Sequence, residues 1–154
     1  MRFFIALLTL ILTPVVTQAQ ERTWSLNASD KEAFLVFGVP DTEDVGISFW
    51  CEIGTNKTAL FINNVIGRIK ANQTTTITVG VDSRVFKLKA KAAVDHPGQR
   101  PSLEGVMPNN AAMLKSLQLA SSMKLTVLGR TDTYPLIDAD FIGLARDCAG
   151  DALN

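Results

Sequence analysis

Few residues of this 154-residue chain are of types that carry chemistry, and their spacing limits what they can do. The only histidine, His96, lies in "VDHPGQRP" with Asp95 beside it and Arg100 four positions on. A hydrolase using His96 is one reading. The chain offers no second histidine for a metal and no Gly-x-Ser-x-Gly nucleophile setting, which leaves a solvated loop residue as the other. Asp138 and Asp140 begin like a calcium loop, but the glycine and later carboxylate of an EF-hand are missing. Helix capping accounts for them better. These residues point to no enzyme, no cofactor and no metal.

Three further groups remain. "RVFKLKAKAA" places Lys87, Lys89 and Lys91 on one face of a strand and Phe86, Leu88 and Ala90 on the other. That is either a basic ridge for an anionic partner, such as lipopolysaccharide or an acidic protein surface, or a solvated face whose lysines discourage edge-to-edge association. Trp50 stands opposite the core-facing set of its strand. It is either an exposed anchor for a partner or a side chain covered by the strand of Trp24 or by loops. The candidate binding surface is therefore Lys87, Lys89, Lys91 and Trp50, with His96 and Arg100 of the loop at 95–101.

The two cysteines are the third group. In "VGISFWCEI" the alternation puts Val45, Ile47, Phe49 and Cys51 on one face. Near the end, Phe141, Leu144, Ala145 and Cys148 follow i, i+3, i+4, i+7 spacing, one stripe of a helix expected over 139–148, after Asp138 as N-cap. Both sulfurs face inward, so in an exported chain one disulfide, Cys51–Cys148, is the expectation. Two separate buried thiols are the alternative; a redox-active pair lacks Cys-x-x-Cys and a cationic neighbour.

Export is read from "MRFFIALLTLILTPVVTQAQ": one arginine, an apolar run of roughly 10 residues, too short to span a bilayer, then small residues ending at Ala19. This predicts a signal peptide over 1–19, one β-rich domain over 20–154, no stable membrane anchor after cleavage, and a periplasmic or secreted product. The 15 Lys and Arg balance the 15 Asp and Glu. That balance removes the positive field on which nucleic-acid binding relies.

The elements that must position these residues are mostly strands. Period-two alternation broken by turn residues runs through "KEAFLVFGVP", "VGISFWCEI", "KTALFINNVI", "TTTITVGV", "RVFKLKAKA", "MKLTVLG" and an edge strand "TYPLI". "GRIKANQ" and "DHPGQRPS" read as loops. "NNAAMLKSLQLASS" changes to helical spacing, predicting an inserted helix near 110–121 capped by Asn109 or Asn110. The expected fold is an antiparallel β-sandwich or flattened barrel of about seven or eight strands with one inserted and one C-terminal helix.

Trp24, Gly38, Pro40, Asp41, Cys51, Gly143 and Cys148, with the stretches "FGVPDTEDVGISFWCEIGTNKTALFI" and "YPLIDADFIGLARDC", carry a resemblance to small exported proteins of alphaproteobacteria. The resemblance implies a periplasmic β-rich domain and no particular activity. A fainter one is to periplasmic lysozyme inhibitors, whose Ser/Gly-rich inhibitory loop this chain lacks; the terminal stretch is also similar to accessory periplasmic proteins of secretion systems. The function expected is thus a non-enzymatic periplasmic binding or interaction module contacting a protein or cell-envelope component, with an inhibitor of a cell-wall hydrolase as the alternative.

Overall fold

The computed structural model describes residues 21–93, 100–109 and 111–149. The signal-peptide expectation and His96 lie outside them. Nine antiparallel strands form one curled, half-barrel sheet in the order β1-β2-β3-β4-β7-β6-β5-β8-β9. They are β1 (Thr23–Ala28), β2 (Glu32–Gly38), β3 (Val45–Glu52), β4 (Lys57–Ile62), β5 (Thr74–Val81), β6 (Arg84–Ala93), β7 (Ser102–Pro108), β8 (Ser122–Val127) and β9 (Arg130–Pro135). Two helices, α1 (Ala112–Leu117) and α2 (Phe141–Ala149), pack on the concave side.

Two strands lie outside the seven that alternation predicts: β1, which the sequence gives only as the strand of Trp24, and, behind the Pro/Gly-rich loop, β7. Its pattern is weakened by Gly105, and the structure shows why glycine stands there. A Cβ at Gly105 would come within 2.6 Å of the Leu88 side chain, which fills the space above it from β6. β7 is central rather than peripheral, pairing with β4 over six residues and with β6 through Lys91–Ala93.

Alternation supplies the core. Leu35, Ile47, Phe49, Leu60, Ile77, Val79 and Leu103 point inward and are fully buried. At the opening of the curl, Trp24 packs on Phe37, Phe49 and Phe141 at centroid separations of 5.1, 6.4 and 6.0 Å. Its indole N–H donates to the carbonyl oxygen of Pro135, bridging the first and last strands. Phe37 meets Tyr134 edge-on at 5.6 Å, spanning the same gap.

Cys51 and Cys148 form the disulfide, with Cα atoms 5.7 Å apart and a sequence separation of 97. Both are buried. The bridge fits a location outside the reducing cytoplasm. Among the described residues, no helix is long and apolar enough to cross a membrane.

Both helices are displaced from their expected bounds. The inserted helix spans Ala112–Leu117 rather than 110–121, with Ala111 at its N-cap and no side-chain cap. Asn109 is used elsewhere: its side-chain oxygen accepts the hydroxyl hydrogen of the buried Thr58 at 2.7 Å, tying β4 to the turn after β7. α2 begins at Phe141, and its cap is Asp140 rather than Asp138, the carboxylate accepting the Gly143 N–H at 2.7 Å. A Cβ on Gly143 would collide with that carboxylate and lie 2.7 Å from Leu26 Cδ2, so only glycine lets the helix start against β1. Val45 was expected in the core. A register shift at Phe37/Gly38 turns it outward, where it is half-buried.

Two outcomes follow. Replacing both cysteines by serine is expected to cost about 2–5 kcal/mol in urea unfolding; an unchanged midpoint contradicts the tether. Gly143→Ala is expected to cost about 1–3 kcal/mol through overpacking, whereas Ala substitution at exposed Gly54, where a Cβ meets nothing, loses stability only through its positive φ.

Candidate functional site

The run "AFLVF" in β2 is apolar at every position, as strands covered on both faces are. Only one face is covered. Ala33, Leu35 and Phe37 enter the core, and Phe34 and Val36 emerge on the convex side, where neither helix lies. On β3 the same alternation sends Ser48 and Trp50 outward, and on β4 it sends Ala59 and Phe61. Register then assembles two outward rows across the sheet. One runs Val36, Ser48, Phe61, Glu104; the next runs Phe34, Trp50, Ala59, Val106.

Trp50 and Phe34 stack with centroids 6.3 Å apart and planes inclined by 19°. Both are half-buried rather than covered. Beside them lies an open, mainly apolar depression of about 400 Å³, lined by Phe34, Val36, Val45, Trp50 and Phe61 with Ser48 and Asn63, and with Glu32 at its edge. On the other side of Trp50 a second hollow, about 210 Å³, carries Glu52, Glu104 and Lys57 among its walls, with Val106 52% exposed. Trp50 is therefore a ridge between an apolar and a charged hollow. Its cover is not Trp24, which is buried on the opposite face of the sheet.

The remaining sequence candidates fall elsewhere. Lys87, Lys89 and Lys91 are exposed on the convex face of β6. The one nearest the aromatic rows is Lys91, opposite Glu104. Arg100 is exposed beside β7. The structure thus brings Trp50 together with Phe34, Val36, Phe61 and Val106, which the sequence reading did not single out. The lysines continue that face round the curl: Lys91 follows Glu104 in the row of Phe61, and Lys89 and Lys87 lie further along β6. The signal for the missed residues was present in the unbroken apolar run of β2, which needs cover on both faces.

A small cleft of about 90 Å³ lies where the β4–β5 connection meets β8 and β9, lined in part by Asn63, Arg130, Asp132 and Tyr134. Arg130 is paired with Asp132, Nε to Oδ2 3.2 Å. Tyr134 has its hydroxyl pKa raised above the ordinary 10.0, first by burial and then by Asp132, with Arg22 and Arg130 opposing. Burial favours the neutral phenol, so the group is a packing side chain at neutral pH, meeting Phe37 edge-on.

Comparisons of the chain with protein-family models, curated proteins and solved structures found no match. What the convex face does is therefore argued from its own geometry.

The two tryptophans should respond differently to truncation. Trp24→Ala is expected to cost about 3–5 kcal/mol. Trp50→Ala, losing mainly the Phe34 stack, should cost about 1 kcal/mol; equal losses in chemical unfolding would contradict the division into core and surface rings. On the alkaline side, a raised folded-state pKa leaves the Tyr134 contribution intact below 10.0, with stability falling as pH rises through the folded-state value. Tyr134→Phe should flatten that decline relative to the wild type, and identical pH profiles of the two would count against it.

Proposed function

We propose that the protein is a non-enzymatic periplasmic interaction module whose contact surface is the convex face of β2, β3, β4 and β7, with the Phe34–Trp50 stack as anchor. One observation carries this reading: stacked, half-buried aromatic rings border an apolar depression of about 400 Å³ on a face that neither helix covers. The stack contributes little to folding beyond the pair itself, whereas interface hot spots are enriched in tryptophan set among apolar neighbours. The hollow bearing Glu52, Glu104 and Lys57 supplies the polar rim such surfaces carry. Periplasmic residence is supported by the disulfide and by the export-like leader sequence.

The test is site-specific photo-crosslinking in cells producing the full chain, with the probe at Val36, at Phe61, or at Thr133 of β9, outside the proposed surface. A discrete adduct from Val36 and Phe61, absent from Thr133 and abolished by Trp50→Ala at unchanged protein level, is the expected result. Adducts from all three positions alike, or adducts indifferent to Trp50→Ala, would overturn the assignment of this face.

A further inference from the structure

The convex face changes character beyond β7. On β6, Lys87, Lys89 and Lys91 alternate outward, about 6.8 Å apart along the strand. Their cross-strand partners on β5 are Thr78, Thr76 and Thr74. The next strand adds a cation that the sequence does not place with them: Lys124 of β8 sits opposite Gly80, two strands from the lysine row, about 10 Å across the sheet. Thr126 and Thr131 extend the hydroxyl surface, their oxygens 2.7 Å apart.

The outward positions of β6, β5, β8 and β9 hold no Asp or Glu; Asp132 of β9, exposed beside the partner of Lys124, pairs with Arg130, and Glu104 faces Lys91 from β7. Among the described residues, the ion pairs all involve arginine, so none of these four ammonium groups has a described carboxylate within 4 Å. In a chain of balanced overall charge, this is a segregated positive surface.

We propose that this lysine–threonine surface docks the protein onto an anionic lipid surface. The geometry selects the occupant. On a convex sheet, side chains from alternate positions and separate strands run parallel or diverge, so they cannot converge on one compact anion. A linear polyanion would engage the Lys87–Lys89–Lys91 row and leave Lys124 aside. A plane of anionic headgroups meets all four cations at once, and the threonine hydroxyls offer donors to headgroup phosphates between them. The lysine strand β6 lies three strands from Trp50 of β3, and β8 five, so this surface is centred away from the aromatic depression, with Lys91 meeting its edge at Glu104. It stands independently of the function proposed for that depression.

The experiment is co-sedimentation of the purified, disulfide-bonded protein with vesicles of phosphatidylcholine alone or with about a third phosphatidylglycerol. Binding is expected only to the anionic vesicles and should fall steeply with salt. Each outward lysine contributes about fivefold in partition, so Lys87→Gln/Lys89→Gln/Lys124→Gln should weaken binding about a hundredfold. Lys124→Gln alone should weaken it about fivefold. Lys31→Gln/Lys57→Gln, an equal charge loss per site elsewhere, and Trp50→Ala should leave it unchanged.

Equal binding to neutral vesicles, no binding at low salt, or a triple variant no weaker than Lys31→Gln/Lys57→Gln would overturn the proposal. So would retention by soluble polyglutamate with indifference to Lys124→Gln, which is the signature of a linear polyanion. Insensitivity to Trp50→Ala separates this result from the fate of the photo-crosslinking reading.

Discussion

The structure depends on covering the concave side of a single curled sheet. A sheet so curved buries one face only if something fills the curl, and here two short helices and a cluster of aromatic rings do so. α2, at nine residues, is too short to hold helical form on its own strength. It is fixed by three devices: the bond from Cys148 to Cys51, the Asp140 carboxylate on the Gly143 N–H, and the burial of Phe141 against Trp24 and Phe49. The Gly54 N–H also donates to the Cys148 carbonyl, joining the β3–β4 turn to the last turn of the helix. The tether closes a loop of almost a hundred residues, for which chain entropy in the unfolded state allows about 4.7 kcal/mol, a large share of the net stability of a small domain.

Because the interior is complete, the apolar residues outside it need a different explanation. Leu35 and Phe37 account for the core contribution of β2; Phe34 and Val36 add nothing to it. The convex face divides along the boundary between β7 and β6, with aromatic rings and carboxylates on one side and lysines and threonines on the other. Lys91 and Glu104 face each other at that boundary without forming an ion pair. Each half presents its own chemistry to its surroundings, and the half-barrel curl turns β8 away from β3.

Much of this was legible in the residues. Alternation in β3 put Ile47, Phe49 and Cys51 on one face, helical spacing put Phe141, Leu144 and Cys148 on another, and the pairing of the sulfurs followed from their common burial. Three residues prominent in the sequence have structural reasons: Gly38 because a Cβ would strike the Asp44 carbonyl, Asp41 because it turns at φ 58°, and Gly143 because β1 approaches the helix there. What stayed hidden depended on distant partners. β7 could not be read because its glycine answers to Leu88 of another strand, and the Asn109 side chain serves Thr58 rather than a helix. Lys124 joins Lys87 only through a strand order, β6-β5-β8, that no local pattern encodes. Val45 turned outward through a bulge of one residue.

The tethered helix as the closing element is tested most directly by amide hydrogen exchange on the oxidised and the reduced protein under native conditions. The account predicts that reduction strips protection from α2 and from β1, which it covers, while the β5–β6 hairpin stays protected. Unchanged protection in α2 after reduction, or a loss spread evenly over all nine strands, would contradict it.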